Sequence, residues 1–336
     1  MNQPVVPNSD FAEVVSLIDA ARQQANRTVN IQLIDLYWQI GEYISCKIAT
    51  DAWGKSTVKA LPTYIQLQQP GLRGFSPQNI WRMRQFYEAY CLEPKLSTLL
   101  RELPWSANLH ILTRAKQPEE REFYLRMATQ NRWQVREVAR QMDNQLFARS
   151  ILNPPKVSTT LREMHPKADG FFKDSYFLEF LGSPPTHTEG DLHRGLVNHL
   201  GRFLTELGSD FCYVGSEYPL QVGGQDFALD LLFFHRSLNC LLAIELKVTA
   251  FQPEHLGKLS FYLEALDRDH RKPHENPAIG VLLCASKDDE VVEYALSRSL
   301  SPALIAEYQT QLPDKKLLQA KLHEFYALNA GTGEEL

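Results

Sequence analysis

The chain has 336 residues, 44% of them hydrophobic and 22% charged, with a formal net charge of −5. That length points to two domains, and the composition excludes a wholly disordered chain. No run approaches the ~18 uninterrupted apolar residues of a membrane span, and the first residues lack the pattern of a secretory signal. The five cysteines (Cys46, Cys91, Cys212, Cys240 and Cys284) are scattered, which excludes a disulfide scaffold or a zinc finger and makes a reducing cytoplasm the expected compartment. The mild acidity argues against a nucleic-acid partner only while the charge is averaged. Residues 1–150 carry +4 and residues 151–336 carry −9, so the halves differ in character.

In chain order, the first half reads as helices. Helical spacing of apolar residues predicts helices over 11–26, 28–49 and 55–68. The breaker-rich turn Pro70-Gly71-Leu72-Arg73-Gly74-Phe75 follows, and Ser76-Pro77 then offers an N-cap and a first-turn proline for a helix over 77–91. Further helices are expected over 96–103, 107–115, 118–129 and 132–147. Asn153-Pro154-Pro155 and the polar stretch after it read as a linker over 151–170.

The second half changes texture. Leu192, Leu196, Leu200 and Leu204 mark a helix over 189–207. Strands are expected over 211–222, 226–235 and 240–248, then a helix over 254–267 and a buried strand over 278–284. A helix near 288–298, an edge strand near 303–309 and a last helix near 314–328 complete an α/β domain.

Three charged residues interrupt otherwise apolar strands: Asp230 in ALDLLFF, and Glu245 and Lys247 in LLAIELKV. A hairpin turn centred between Ser237 and Leu238 sets Asp230 opposite Glu245, with Lys247 on the same face. Adjacent carboxylates repel unless a cation joins them, and a hard divalent ion with oxygen ligands would do so. Lys247 could then orient a water or stabilise charge on a phosphate. The same three residues also fit a structural ion pair in which Lys247 only neutralises Glu245.

The run from Val222 to Phe234, followed by Ala243-Ile244-Glu245-Leu246-Lys247, resembles the PD-(D/E)xK nuclease superfamily, and more closely its bacterial YhcG-like family. Phe172-Lys173-Asp174, Phe180-Leu181-Gly182, Phe261-Tyr262-Leu263, Asn276-Pro277 with Ile279-Gly280, and Ala306-Glu307-Tyr308 extend the similarity. In the first half, Arg73-Gly74-Phe75-Ser76, Arg84-Gln85-Phe86-Tyr87, Pro104-Trp105-Ser106 and Val135-Arg136-Glu137 fit the same family.

The resemblance implies a restriction-endonuclease-like αβββαβ core over 171–336, behind an all-α, helix-turn-helix-like domain over 1–150. It implies Asp230 and Glu245 as ligands of Mg²⁺ or Mn²⁺, joined by the Leu246 backbone carbonyl, and Lys247 as the catalytic lysine. A further acid is expected from the first core helix. Where the family has acidic residues after Asp191-Leu192, this chain has His193-Arg194. Glu189, one turn earlier, and Glu217, on the first strand, are the candidates to replace them. Each is equally a solvated surface acid. Lys258, on the helix after Glu245 and Lys247, is a candidate phosphate contact or a plain surface lysine. The scattered histidines His187, His193 and His199 read as surface or core residues.

The helix over 77–91, following a tight turn after another helix, has the layout of a helix-turn-helix. Gln78 and Asn79 would read base edges, Arg82 and Arg84 would meet bases or phosphate, and Lys55, Lys59 and Arg73 would add phosphate contacts. A helical bundle with a solvated basic face fits the same residues. No phosphate loop of the GxxxxGK[ST] type is present, so no nucleotide cofactor is expected. The expected function is a metal-dependent endonuclease acting on DNA in recombination, repair or defence, as a homodimer if both strands are cut. The alternative is a catalytically inactive DNA-binding or assembly module.

Overall fold

In the computed structural model the described residues are 8–50, 55–166, 168–182, 188–311, 317–318 and 320–322. The chain divides into two compact units, 1–142 and 143–336. No helix among the described residues is long and apolar enough to cross a membrane.

The described part of the first unit is helical: α1 (Asn8–Ala49), α2 (Lys55–Gln68), α3 (Pro77–Tyr90), α4 (Ser97–Glu102), α5 (Trp105–Arg114), α6 (Pro118–Gln130) and α7 (Val135–Asp143). The two helices expected before residue 50 are one, because no Gly or Pro interrupts Gln24 to Asn30 and the Thr28 hydroxyl donates to Gln24 O. Ser76 caps α3 as the spacing predicts, accepting from Asn79 N with Pro77 in the first turn. Ile34, Tyr37 and Ile44 of α1 pack on Ile80 and Met83 of α3, with Val58 of α2 beside them. Gly41 makes the crossing close: a Cβ there would lie 2.2 Å from Met83 O.

In the second unit come α8 (Leu146–Leu152), β1 (Lys156–Val157), α9 (Thr159–Met164), β2 (Ser175–Phe177), α10 (Glu189–Asn198) and α11 (Leu200–Leu207). They are followed by β3 (Phe211–Val222), β4 (Gln225–His235), β5 (Cys240–Ala250), α12 (His255–Ala265), β6 (Asn276–Ser286), α13 (Asp289–Ser297) and β7 (Ala303–Gln309). One mixed sheet runs β1-β7-β6-β5-β4-β3, with β2 also paired to β7. The strands β3, β4 and β5 are antiparallel, and β5, β6 and β7 are parallel. α10 and α11 cover one face of the sheet through Leu192, Leu196 and Phe203. α12 and α13 cover the other through Leu259, Leu263 and Val292.

Several expectations need correction. The stretch 151–170, expected as a linker, belongs to the second unit: β1 pairs with β7, Ser158 caps α9, and Leu161 is fully buried. The helix expected over 132–147 is two, separated at Gln145, whose φ of 52° is left-handed. The helix over 189–207 ends and restarts at His199, whose Nδ1 lies 3.0 Å from Gly195 O and terminates the first segment. Strand 303–309 is not an edge, since β6 pairs with one side of it and β1 and β2 with the other. The last helix is present at 317–318 and 320–322, and the rest of that expectation lies outside the described residues, as does His187.

His235, at the end of β4, is fully buried among Phe171, Phe172 and Phe211, and its Nδ1 accepts from Leu238 N. Burial, only partly offset by the Asp210 charge, lowers its pKa to about 4. The folded value lies below the unfolded one of roughly 6.5. The resulting stabilisation is therefore complete above the unfolded pKa and is lost as pH falls through the folded one. Denaturant unfolding should show a loss of roughly 3 kcal/mol from this group between neutrality and pH 4. A His235→Phe variant should lose correspondingly less over that range; equal losses in both proteins would refute the assignment.

Candidate active site

The ladder between β4 and β5 follows the expected register, Leu231 opposite Ile244 and His235 opposite Cys240. It ends at Leu231 and Ile244, one step short of Asp230 and Glu245. Beyond that step the Leu246 N–H donates to the Asp230 carboxylate, at 2.7 Å from Oδ2. The Asp230 carboxylate thus accepts from the β5 backbone, while its charge still reaches Glu245 and Lys258.

The reason lies in the backbone. Leu229 and Leu231 are both fully buried, yet Leu229 joins the core under α12 and Leu231 the core under α10. Residues two apart in a regular strand share a face, so β4 turns over at Asp230. On β3, Ser216 pairs with Leu231 and Tyr218 with Leu229, which places Glu217 opposite Asp230. Glu217 has a φ of 46°, an uncommon and strained conformation for a residue with a side chain. Both strands therefore change face at the same row.

Glu245 is fully buried. Its Oε1 accepts from Lys258 Nζ at 2.5 Å and lies 3.3 Å from Lys247 Nζ. Its Oε2 is buried with no hydrogen-bond partner. Burial first, and the Asp230 charge second, push the Glu245 carboxyl above its usual pKa, against the two lysines. Burial disfavours the Lys258 ammonium, but its hydrogen bond and ion pair with Glu245 outweigh this and raise its pKa to about 12. Lys258, on α12, is thus brought to the site and held by the buried acid.

Lys247 is held from three sides. Its Nζ donates to Leu246 O at 2.9 Å, to Glu189 Oε2 at 3.2 Å and to Glu245 Oε1 at 3.3 Å. Glu189 opens α10, where Thr188 and Asp191 form a reciprocal capping box. Asp191 is occupied by that cap and by Arg194. The structure therefore brings Glu189 to Lys247. Glu217, the other candidate acid, is exposed and takes no part in this hydrogen-bond network.

Two further residues lie near the site: His193, read from the sequence as a surface or core histidine, and His255, which the sequence reading did not single out. The Nε2 of His193, one turn after Glu189, lies 3.2 Å from Asp230 O. His255, at the start of α12, feels the charges of Lys247 and Glu189, and burial first, then Lys247, lowers its pKa. A helical repeat of four from Glu189 was the available signal for His193.

Among the described residues, no group of three or more His, Cys, Asp or Glu side chains is arranged to hold a metal ion. What is present is a buried carboxylate with an unpartnered oxygen, a second carboxylate beside it and the Leu246 carbonyl. Such oxygen donors fit a hard divalent cation.

In the first unit, Lys59, Arg73 and Gln78 are exposed and Arg82 is half-buried. The side chain of Lys55 lies outside the described residues. Asn79, expected to read bases, uses its amide within the unit: Nδ2 donates to Gly74 O, and Oδ1 accepts from Trp105 Nε1. Gly74 needs its glycine, with a φ of 97° and the Tyr37 hydroxyl 2.9 Å from where a Cβ would stand. Arg84 pairs with Glu88 at 2.6 Å and lies over the Trp81 ring.

Residues 169–323 match the YhcG PDDEXK nuclease domain, and residues 13–149 match the DUF1016 N-terminal domain. The chain is 32% identical to YhcG of Escherichia coli (strain K12), over 92% of each chain. Among solved structures, a repair endonuclease from Pyrococcus abyssi is similar over 39% of this chain and 50% of its own, at 13% identity and a TM-score of 0.25. EndoMS in apo form is similar over 39% and 48%, at 13% identity and a TM-score of 0.24. The chain thus spans about half the length of these two structures. With the buried Glu245, Asp230 and Lys247 inside a matched nuclease domain and a relative aligned almost end to end, the chain belongs to the YhcG family of PDDEXK nuclease-domain proteins.

Proposed function

We propose that the second unit hydrolyses phosphodiester bonds of DNA and that the first unit binds the same DNA. The observation that carries this is the unpartnered Oε2 of buried Glu245 beside Asp230, within the nuclease domain. Asp230, Glu245 and the Leu246 carbonyl would hold Mg²⁺ or Mn²⁺. When bound, the cation supplies Lewis-acid activation of water and neutralises charge on the phosphate. Lys247, only 13% exposed, keeps its ammonium fixed against Glu189 and Leu246 O. From there it orients water and stabilises negative charge that develops on the phosphate. Lys258, with 48% of its side chain exposed, meets a flanking phosphate. The first unit approaches DNA through α2, the turn and α3 in the manner of a helix-turn-helix, with Gln78 and Arg82 toward bases and Lys59 and Arg73 toward phosphates. A homodimer would supply two sites for double-strand cutting, and a cytoplasmic role in repair, recombination or defence fits this chemistry.

A second reading has one observation in its favour. Lys247 and Lys258 both lie on Glu245 Oε1, so the buried acid already has counter-charges. On that reading the domain is an inactive DNA-binding or assembly module. Purified protein with plasmid and branched DNA separates the two. Cleavage with Mg²⁺ or Mn²⁺, absent in EDTA and lost in Asp230→Ala and Lys247→Ala, is the expected result. DNA binding without cleavage under all these conditions would favour the second reading.

A further inference from the structure

Asp230 sits where β4 turns over, and the ladder to β5 has already ended beside it. Its carboxylate therefore depends on other contacts for its aim. Besides the strand ladders, two hydrogen bonds reach the residue: Leu246 N–H to Oδ2, and His193 Nε2 to the backbone oxygen. A carbonyl oxygen only accepts, so Nε2 carries the proton, as it does in one neutral tautomer and in the cation. His193 and Glu189 are four residues apart on α10 and share one face of it. That single helix face meets Lys247 through Glu189 and Asp230 through His193.

We infer that His193 is a positioning residue for Asp230. It fixes the carbonyl at the point where the strand changes face, and so holds the carboxylate toward Leu246 N–H and the neighbouring Glu245. His193 occupies the stretch of α10 from which a further acid was expected. It acts there through the backbone of Asp230, not as an acid. Its effect on cleavage rests on the nuclease reading; its effect on Asp230 does not.

The test uses the full chain with His193→Ala and His193→Gln, the glutamine amide being able to donate to the same carbonyl. The first readout is hydrogen exchange of the Leu246 amide in metal-free protein. The second is cleavage as a function of Mn²⁺ concentration. In His193→Ala, Leu246 should exchange faster, and the Mn²⁺ midpoint should rise by about 10–100-fold, the usual effect of removing a group that orients a ligand. His193→Gln should recover most of both. Wild-type exchange and Mn²⁺ midpoint in His193→Ala would overturn the inference, as would a glutamine variant no better than alanine. If wild-type protein cuts no DNA, the nuclease reading fails, and the Leu246 exchange alone still decides the role of His193.

Discussion

Glu245→Gln is expected to lower DNA cleavage by about 10³-fold or more, because it removes a charged oxygen donor worth several kcal/mol to a metal-assisted transition state. The same substitution carries a second, independent signature. The Glu245 carboxyl titrates above its usual range, driven first by burial and then by Asp230. A raised pKa means the folded protein binds this proton more tightly than the unfolded chain does. That contribution is fully present below the unfolded pKa of about 4.3 and is lost as pH rises through the folded value. In EDTA, wild type should therefore gain stability relative to Glu245→Gln as pH falls from neutrality toward 4. Denaturant unfolding of the two proteins at pH 7 and pH 4.5 measures this. A constant difference would show that burial does not perturb Glu245. At neutral pH, Mg²⁺ should raise the wild-type melting temperature more than that of the variant.

Gly41→Ala is expected to destabilise the first unit by about 3 kcal/mol, the upper end of the usual overpacking range. The added Cβ would fall 2.2 Å from Met83 O and 2.8 Å from Met83 C. These are backbone atoms, which no rotamer change can move aside. α1 and α3 would have to separate, loosening the contacts of Ile34, Tyr37 and Ile44 with Ile80 and Met83. Gly201→Ala in α11 is the control, since a Cβ there meets nothing within 4 Å. It should be neutral or slightly stabilising by helix propensity. Thermal unfolding of both variants tests the contrast, and a Gly41→Ala protein as stable as wild type would disprove the close crossing. Because α3 carries Gln78 and Arg82, the same variant should also weaken DNA binding.

Much of this arrangement was legible in the sequence because short-range rules govern it. The hairpin register followed from the turn at Ser237 and Leu238, and charged residues inside apolar strands marked Asp230, Glu245 and Lys247. The turnover of β4 at Asp230 was not legible, because it depends on a left-handed backbone at Glu217. Glutamate carries no local signal for that conformation, as glycine or asparagine would. His193 was missed for a related reason. Its partner is a backbone oxygen 37 positions away, which no side-chain pattern announces. Asn79 erred the other way: a polar residue at a helix start reads as available, yet Trp105 and Gly74 use both ends of its amide. The short strand at Lys156 and Val157 escaped notice because two residues set between Pro155 and a polar helix start carry no periodicity.

The strained row at Glu217 also affects the outer border of the sheet. Among the described residues β3 is an end strand, 12 residues long, with backbone groups of alternate residues facing outward. A flat strand of that length would invite another chain to add to it. The register shift between Tyr213 and Gly215, the inverted φ of Glu217 and the missing N–H of Pro219 break that border at three nearby points. The kink that turns Asp230 toward Leu246 therefore also gives β3 a ragged margin, one that discourages edge-to-edge growth of the sheet and favours any pairing of two copies through other surfaces.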